Sequence, residues 1–497
     1  MSTAISAIFP MMVVALGALC ILILSVFRGY GVHTLMRLSI AFLSVAFISE
    51  VGSFASHPPH FLMENMLGKV FVIDDFSILF DLMFLLGAIV TLTINGNYLD
   101  RRRYFNAEFF ALFLFSVFGM MAMVHSNDLV TAFISLEITS VTLYALVGYH
   151  KNHTVSAEAM MKYMILGAFA GVLFMLGTVI VYGVTGSTSI PEIALYASKV
   201  DGFEPALATG ALFLAVTILF KIGAVPFHAW VSDVYQGSPF PVTMHMASTF
   251  KVAVFALAIR MGGLFFSDTV FADGVLLTPV VVMTLVGGSL LALSQDILKR
   301  VLAASSIVHG GYMLIAFSCI GFESSLASSA IMFYLLSYFI SSAGAFGILS
   351  YLSLNAGKSL RYEDFRGLAY SRPWLAAMMA IFMFSLSGFP ATIGFLGKFY
   401  IFTSAIEAHR FVLAGVGIAT AFVSVYYYFR LIAEMYFYEA SGDTGFGAPE
   451  FDTSILFIAF MALMAIWGGV GTGLIPMVPG ADGLIEMAKL AMESISL

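Results

Sequence analysis

Residues Leu219 to Arg260 read LFKIGAVPFHAWVSDVYQGSPFPVTMHMASTFKVAVFALAIR. Lys221 and Lys251 each sit in the middle of an apolar run, and Pro226 interrupts the first of the two runs. A lysine at the centre of a membrane helix costs roughly 2.5–3.5 kcal/mol even on the lenient insertion scale. Two such lysines so close together need a purpose.

The same apolar character extends outward in both directions. Of the 497 residues, 60% are hydrophobic and 10% are charged, against about 25% charged in an ordinary soluble domain. Apolar runs long enough to cross a hydrocarbon core of about 30 Å as helices recur from end to end. They are continuous rather than alternating with period two, which excludes a membrane barrel. The fold class is therefore all-α and polytopic, with about 14 spans centred on 4–27, 34–55, 74–95, 107–125, 128–149, 157–183, 206–236, 239–261, 275–295, 300–321, 327–353, 374–407, 410–437 and 453–474. The first span lacks the basic flank and cleavage site of a secretory signal and is read as a helix of the mature protein.

The net charge of −7 is spread over loops, and nothing points to nucleic acid. Cys20 and Cys319 stand alone in apolar segments, without metal or cluster spacing. No glycine-rich nucleotide fingerprint is present. The chain is thus expected to hold no cofactor and no metal, and any flavin, nicotinamide or metal centre of a redox partner lies elsewhere.

Lysine and arginine set the orientation. With the N-terminus outside, the inner loops hold twelve: Arg28, Arg37, Arg101, Arg102, Arg103, Lys151, Lys299, Arg300, Lys358, Arg361, Arg366 and Arg372. The outer segments hold five, Lys69, Lys199, Arg260, Arg410 and Lys489. Lys162, Lys221, Lys251, Lys398 and Arg430 fall within spans. This asymmetry places both termini outside.

Two spans are overlong and broken by proline in similar wording: FKIGAVPFHAW around Pro226 and FSLSGFPATIGFLGKFYIF around Pro390. Four spans lie between them, so the seventh and the twelfth cross the membrane in opposite directions. Discontinuous helices in inverted repeats line polar sites near the midplane; two simple kinks in a bundle are the alternative.

Glu137, Lys221 and Lys251 fall near the middles of the fifth, seventh and eighth spans, His309 toward the middle of the tenth, and Lys398 beyond the Pro390 break. Lys162 lies near the inner end of the sixth. Such a row suits proton transfer. Burial weakens an ammonium's hold on its proton and an approaching carboxylate strengthens it again, so a Glu137 that moves relative to Lys221 would load or release a proton. A static ion pair between helices is the alternative for Glu137, and snorkelling to the interface is the alternative for Lys162. His228 and His309 each read as relay members or as structural histidines. His245 is read as a packing or water-contacting residue. Arg430 and Glu434 are expected to pair with each other, and Asp75 and Asp128 to serve helix N-termini.

At these residues the sequence resembles the antiporter-like membrane subunits of respiratory complex I, the proton-pumping NADH:quinone oxidoreductase, and among them the N type. The matching text is SLEITSVTLYALVGY, EAMMKYMILGAF, FKIGAVPFHAWVSDVYQGSPFPVT, STFKVAVFALAIRM, LKRVLAASSIVHGGYMLIA and SGFPATIGFLGKFYIF, in the family's order. The resemblance implies fourteen helices: residues 1–106 as helices 1–3, 107–261 as a first five-helix repeat, 275–437 as its inverted copy, and 453–497 as helix 14 with a tail. It implies that Glu137 is the family's helix-five glutamate, and that Lys221, Lys251 and Lys398 are its lysines on helices seven, eight and twelve. It also implies a non-redox subunit of a translocase in a bacterial inner membrane. Protons would pass outward, other membrane subunits would be its neighbours, and flavin, iron–sulfur clusters and quinone would reside in other subunits. One departure is Ala391, where the family often has a second proline; the chain is also expected to lack the long lateral helix of the L type after span fourteen. An Mrp-type cation/proton antiporter subunit and a membrane scaffold whose charges only hold helices together are the competing readings.

Overall fold

The structure, a computed structural model, describes residues 2–26, 30–56, 60–61, 70–102, 104–199, 204–265, 276–320, 326–356, 359–439, 452–470 and 480–495. Arg28, Lys69, Arg103 and Lys358, four of the charges used for orientation, lie outside the described residues.

Helices dominate. Among the described residues, eleven are long and apolar enough to cross a membrane, and the shorter apolar helices Ile8–Leu24, Leu277–Leu293 and Pro373–Ser387 accompany them. The periodic apolar runs account for this, since a chain in hydrocarbon satisfies its backbone polar groups most simply within a helix. Their order within the bundle follows from burial. The Phe240–Arg260 segment is 100% buried inside the protein, whereas Val32–Phe54 is only 22% buried. The first forms the centre, and the second turns most of its surface outward. Thr154–Thr185 packs along Pro205–Ile222, and their closest approach is at glycine: a Cβ on Gly177 would stand 2.8 Å from the Gly210 carbonyl oxygen. Small residues admit backbones this closely in membranes, where van der Waals packing holds helices together.

Both prolines break their spans. The first stops at Ile222 and resumes as Val231–Gly237, and the second stops at Ser387 and resumes as Ile393–Glu407. Each first half ends on a left-handed glycine, Gly223 at φ 80° and Gly388 at φ 82°, a conformation that costs glycine least. Ala391 also takes φ 70°, which a proline ring fixed near −65° could not adopt. The departure from the double proline therefore has a local backbone consequence.

The structure departs from expectation in several places. The expected span 239–261 is not one α-helix: Phe240–His245 gives way to a turn of π-helix, Met246–Phe250, before Lys251–Arg260. Apolar periodicity carries no signal for an inserted residue of this kind. An amphipathic helix, Ile190–Lys199, and a second one, Ala481–Glu493, were too polar to register as spans. The residues from His60 to Asp74 include a two-residue antiparallel strand pair. Lys299, Arg260 and Arg372, counted as loop charges, are buried, so they carry less weight as orientation signals.

Candidate functional site

The two broken helices and the central Phe240–Arg260 segment bring the expected charges inside. Lys221, Lys251, His309 and Lys398 are all buried. Each buried polar group must find a partner or lose several kcal/mol of hydration uncompensated, and the partners found here are almost all neutral.

Lys221 is the penultimate residue of Pro205–Ile222, and its ammonium donates to Ser140 Oγ at 2.7 Å and to Tyr144 OH at 3.2 Å. Ser140 in turn donates to the Leu136 carbonyl at 2.7 Å, which turns its lone pairs toward the lysine. The ammonium also lies over the rings of Tyr144 and Tyr163, at 5.4 and 5.9 Å, a favourable cation–π placement. Glu137, Ser140 and Tyr144 are spaced i, i+3, i+7 on the Leu129–Val147 helix and so share one face. The Glu137 carboxylate does not close on the lysine: its Oε1 is buried with no hydrogen-bond partner among the described residues, and no ion pair joins it to Lys221 there. Gly171 makes room for it, since a Cβ at that position would stand 2.7 Å from Oε1.

Lys251 emerges immediately after the π turn. It donates to the Ser306 carbonyl at 2.6 Å and to Ser306 Oγ at 3.0 Å, and lies 5.8 Å from the Tyr338 ring centre. The same Tyr338 ring stands 4.9 Å from that of His309. His309 bonds through Nδ1 to Tyr334 OH at 2.6 Å and through Nε2 to Tyr428 OH at 3.0 Å. Tyr312 meets His309 edge-on at 5.8 Å, and Lys398 lies over Tyr312 at 5.0 Å. Contact is thus continuous from Lys251 through Tyr338, His309 and Tyr312 to Lys398.

Lys398 completes the second break. It donates to the carbonyls of Leu386 and Ser387 at 3.0 and 2.8 Å, the groups that end the Pro373–Ser387 half-helix without intrahelical partners. A cation here also meets the negative end of the helix dipole. At the first break the freed groups go to neutral donors and acceptors: Trp230 Nε1 donates to the Phe220 carbonyl at 3.0 Å, and Val225 N–H donates to Thr284 Oγ1 at 3.0 Å.

Two expected members stand apart. Lys162 is 41% exposed and pairs with Glu158 at 2.7 Å and Asp233 at 2.6 Å, in a network that continues to Arg300. His228 is half-buried in the unwound stretch after Pro226, and its Nδ1 has no hydrogen-bond partner among the described residues. Arg430 and Glu434 do not pair with each other: Arg430 reaches Asp296 at 2.9 Å, and Glu434 accepts from Arg366 at 2.8 Å. Long-range partners outcompete the i,i+4 contact. His245 has a partner after all, Ser116 Oγ at 2.9 Å.

The tyrosines were missed. Tyr144, Tyr163, Tyr312, Tyr334, Tyr338 and Tyr428 line the charges, and the signals for them were the i,i+4 pair Tyr334 and Tyr338 and the run Tyr426–Tyr428. Asp74 was also missed. It caps Asp75–Ile94 through Ser77 and binds Arg260 through both carboxylate oxygens.

Two proline-broken helices around a buried row of lysines and histidine define a multi-pass membrane protein of the antiporter-like class. The chain belongs to the NADH:quinone oxidoreductase/Mrp antiporter transmembrane family, whose pattern matches residues 126–424. It is 37% identical to NADH-quinone oxidoreductase subunit N of Trichlorobacter lovleyi, over 85% of this chain and 85% of that protein. Among solved structures it resembles a chain of respiratory complex I from Thermus thermophilus, with a TM-score of 0.78 and 29% identity over 94% of this chain and 98% of that one. A chain of the Mrp complex from a Dietzia species gives a TM-score of 0.81 at 18% identity, covering 99% and 97% of the two chains, a likeness of fold alone.

Proposed function

We propose that this chain is the N-type membrane-arm subunit of a proton-translocating NADH:quinone oxidoreductase, carrying protons from inside to outside while its neighbours reduce quinone. The observation that carries the reading is the unclosed pair: Lys221 rests on Ser140 and Tyr144, while Glu137 keeps a buried oxygen unbonded. A carboxylate approaching that lysine strengthens its hold on a proton, and one withdrawing releases it. Lys251, His309 and Lys398 extend the route to the second break. Flavin, iron–sulfur clusters and quinone belong to other subunits, and this chain's part is protonic.

In this reading the chain crosses a bacterial inner membrane fourteen times with both termini outside. Residues 1–106 precede a first repeat, 107–261, whose inverted copy is 275–437, and 453–497 closes the chain. Support comes from matching breaks that both end on left-handed glycines. Identity to subunit N over most of the chain favours this reading over an Mrp antiporter subunit, whose fold is equally similar.

Lys221→Ala and Lys251→Ala in the assembled complex test it, with NADH oxidation and vesicle acidification measured together. Loss of acidification with residual quinone reduction is expected. Wild-type proton-to-electron ratios in both variants would sink the relay, and impaired assembly with fully coupled residual turnover would favour a scaffold.

A further inference from the structure

A second buried polar cluster lies among the N-terminal helices, apart from the lysine row. Glu50 comes from Val32–Ser56, Asp81 from Asp75–Ile94, and His125 ends Ala107–Val124. Their accessibilities are 3%, 0% and 3%. One candidate ligand atom from each lies within 4.8 Å of the others.

The histidine is aimed by the backbone. His125 Nδ1 lies 2.8 Å from the Val72 carbonyl, which can only accept, so Nδ1 carries the hydrogen. Nε2 faces Asp81 Oδ2 at 2.8 Å and shares one hydrogen with it, which an entering metal ion would displace. A histidine that ligates a metal almost always donates its other N–H to a carbonyl or carboxylate in this manner, which fixes the tautomer and exposes the ligating nitrogen. Asp81 Oδ1 is fully buried and has no hydrogen-bond partner among the described residues. Neither acid forms an ion pair with a lysine or arginine among those residues; the nearby Arg260 is engaged by Asp74. Among the described residues the counter-charge open to the two buried carboxylates is His125 itself, paired with Asp81 Oδ2 at 2.8 Å when protonated; a divalent cation in place of that proton would answer both acids, and a buried charge left uncompensated is costly.

We propose that Glu50, Asp81 and His125 form a site for a first-row divalent cation, with zinc the best fit. One imidazole nitrogen and two carboxylate oxygens suit zinc, with bonds of about 2.0–2.2 Å. Ligand atoms at those lengths stand about 3.3 Å apart in a tetrahedron, so the His125–Asp81 contact opens by about half an ångström when the ion enters. A fourth position remains for water. The sequence hid the site because its ligands lie on three separate helices with no ligand spacing between them.

The test uses the full chain, purified in detergent with the partners it carries, stripped with EDTA and dialysed against micromolar zinc chloride in excess magnesium. Mass-spectrometric metal analysis should find one zinc more per wild-type chain than in Glu50→Gln, Asp81→Asn or His125→Gln, with at least a tenfold loss of affinity in each variant that assembles. Equal zinc in wild type and variants overturns the proposal. Because a variant at these buried positions can fail to assemble, zinc-edge X-ray absorption on wild type loaded with one added equivalent gives an independent readout. A shell of oxygen and imidazole donors is expected. Sulfur donors, or oxygen alone as for an adventitious surface ion, overturn it.

Discussion

Ser140→Ala is the sharpest probe of the lysine row. The hydroxyl accepts from the Lys221 ammonium at 2.7 Å and donates its own hydrogen to the Leu136 carbonyl. A hydrogen bond to a charged group contributes about 1.5–3 kcal/mol. If Lys221 exchanges between this docked position and one nearer Glu137, losing the bond shifts that equilibrium by about ten- to a hundredfold, since each 1.4 kcal/mol is tenfold. Tyr144→Phe removes a longer contact of 3.2 Å, leaves the ring beneath the ammonium, and should shift the balance by less, about three- to tenfold. The two act on one ammonium, so the double variant should not equal the sum of the singles. The assay is acidification of inverted membrane vesicles during NADH oxidation, with electron transfer recorded in parallel. Acidification per electron should fall several-fold in Ser140→Ala and further in the double variant, while assembly holds because only one oxygen is lost. Unchanged ratios and rates in all three variants would refute the idea that Lys221 works from this docked position.

Lys398→Met removes the donor to two buried carbonyls at the Pro390 break; at about 1–3 kcal/mol for each unsatisfied group, thermal stability in detergent should drop clearly, and an unchanged melting profile would count against this account. Lys162→Ala should cost about 1 kcal/mol or less, as exposed ion pairs do, and leave acidification per electron intact, which a proton assay checks. Asp74→Asn strands Arg260, which is buried, and should destabilise by about 3–5 kcal/mol, read as a fall in denaturation midpoint. Burial raises the Asp74 carboxyl pKa, but the Arg260 charge and hydrogen bonds from Arg260 and Ser77 outweigh it, so the net shift is downward. A lowered folded-state value means stability that is present above the unfolded carboxyl range, near about 4, and lost as pH falls below it. The wild type should therefore show an acid-side loss that Asp74→Asn lacks.

Much of this was legible because membranes simplify the code. Continuous apolar runs gave most of the long helices to within a few residues, and proline gave both breaks. The intramembrane lysines could be picked out one by one, since each stands alone in its run. What resisted reading was side-chain company. Ser140 and Tyr144 look like ordinary helix residues until the 205–222 helix brings Lys221 against them. The π turn at 246–250 leaves no compositional trace, although it directly precedes Lys251. Arg430 and Glu434 suggested a local pair because spacing is visible in one dimension, whereas Asp296 and Arg366 are neighbours only in three.

The arrangement separates charges that hold from charges that can move. Arg260 is locked: both oxygens of Asp74 and the Val124 carbonyl accept from it, and breaking such a pair strands a buried charge at a cost of about 3–5 kcal/mol. Lys221, Lys251 and Lys398 instead rest on hydroxyls, carbonyls and ring faces, each of which costs less to leave. An ammonium can give up its proton to become a neutral amine without abandoning a carboxylate partner beside it. A row fixed by static ion pairs would have placed Glu137 on Lys221. The unbonded Glu137 oxygen and a lysine held by neutral groups fit the transferable proton proposed above, whereas a purely structural role would favour a closed pair.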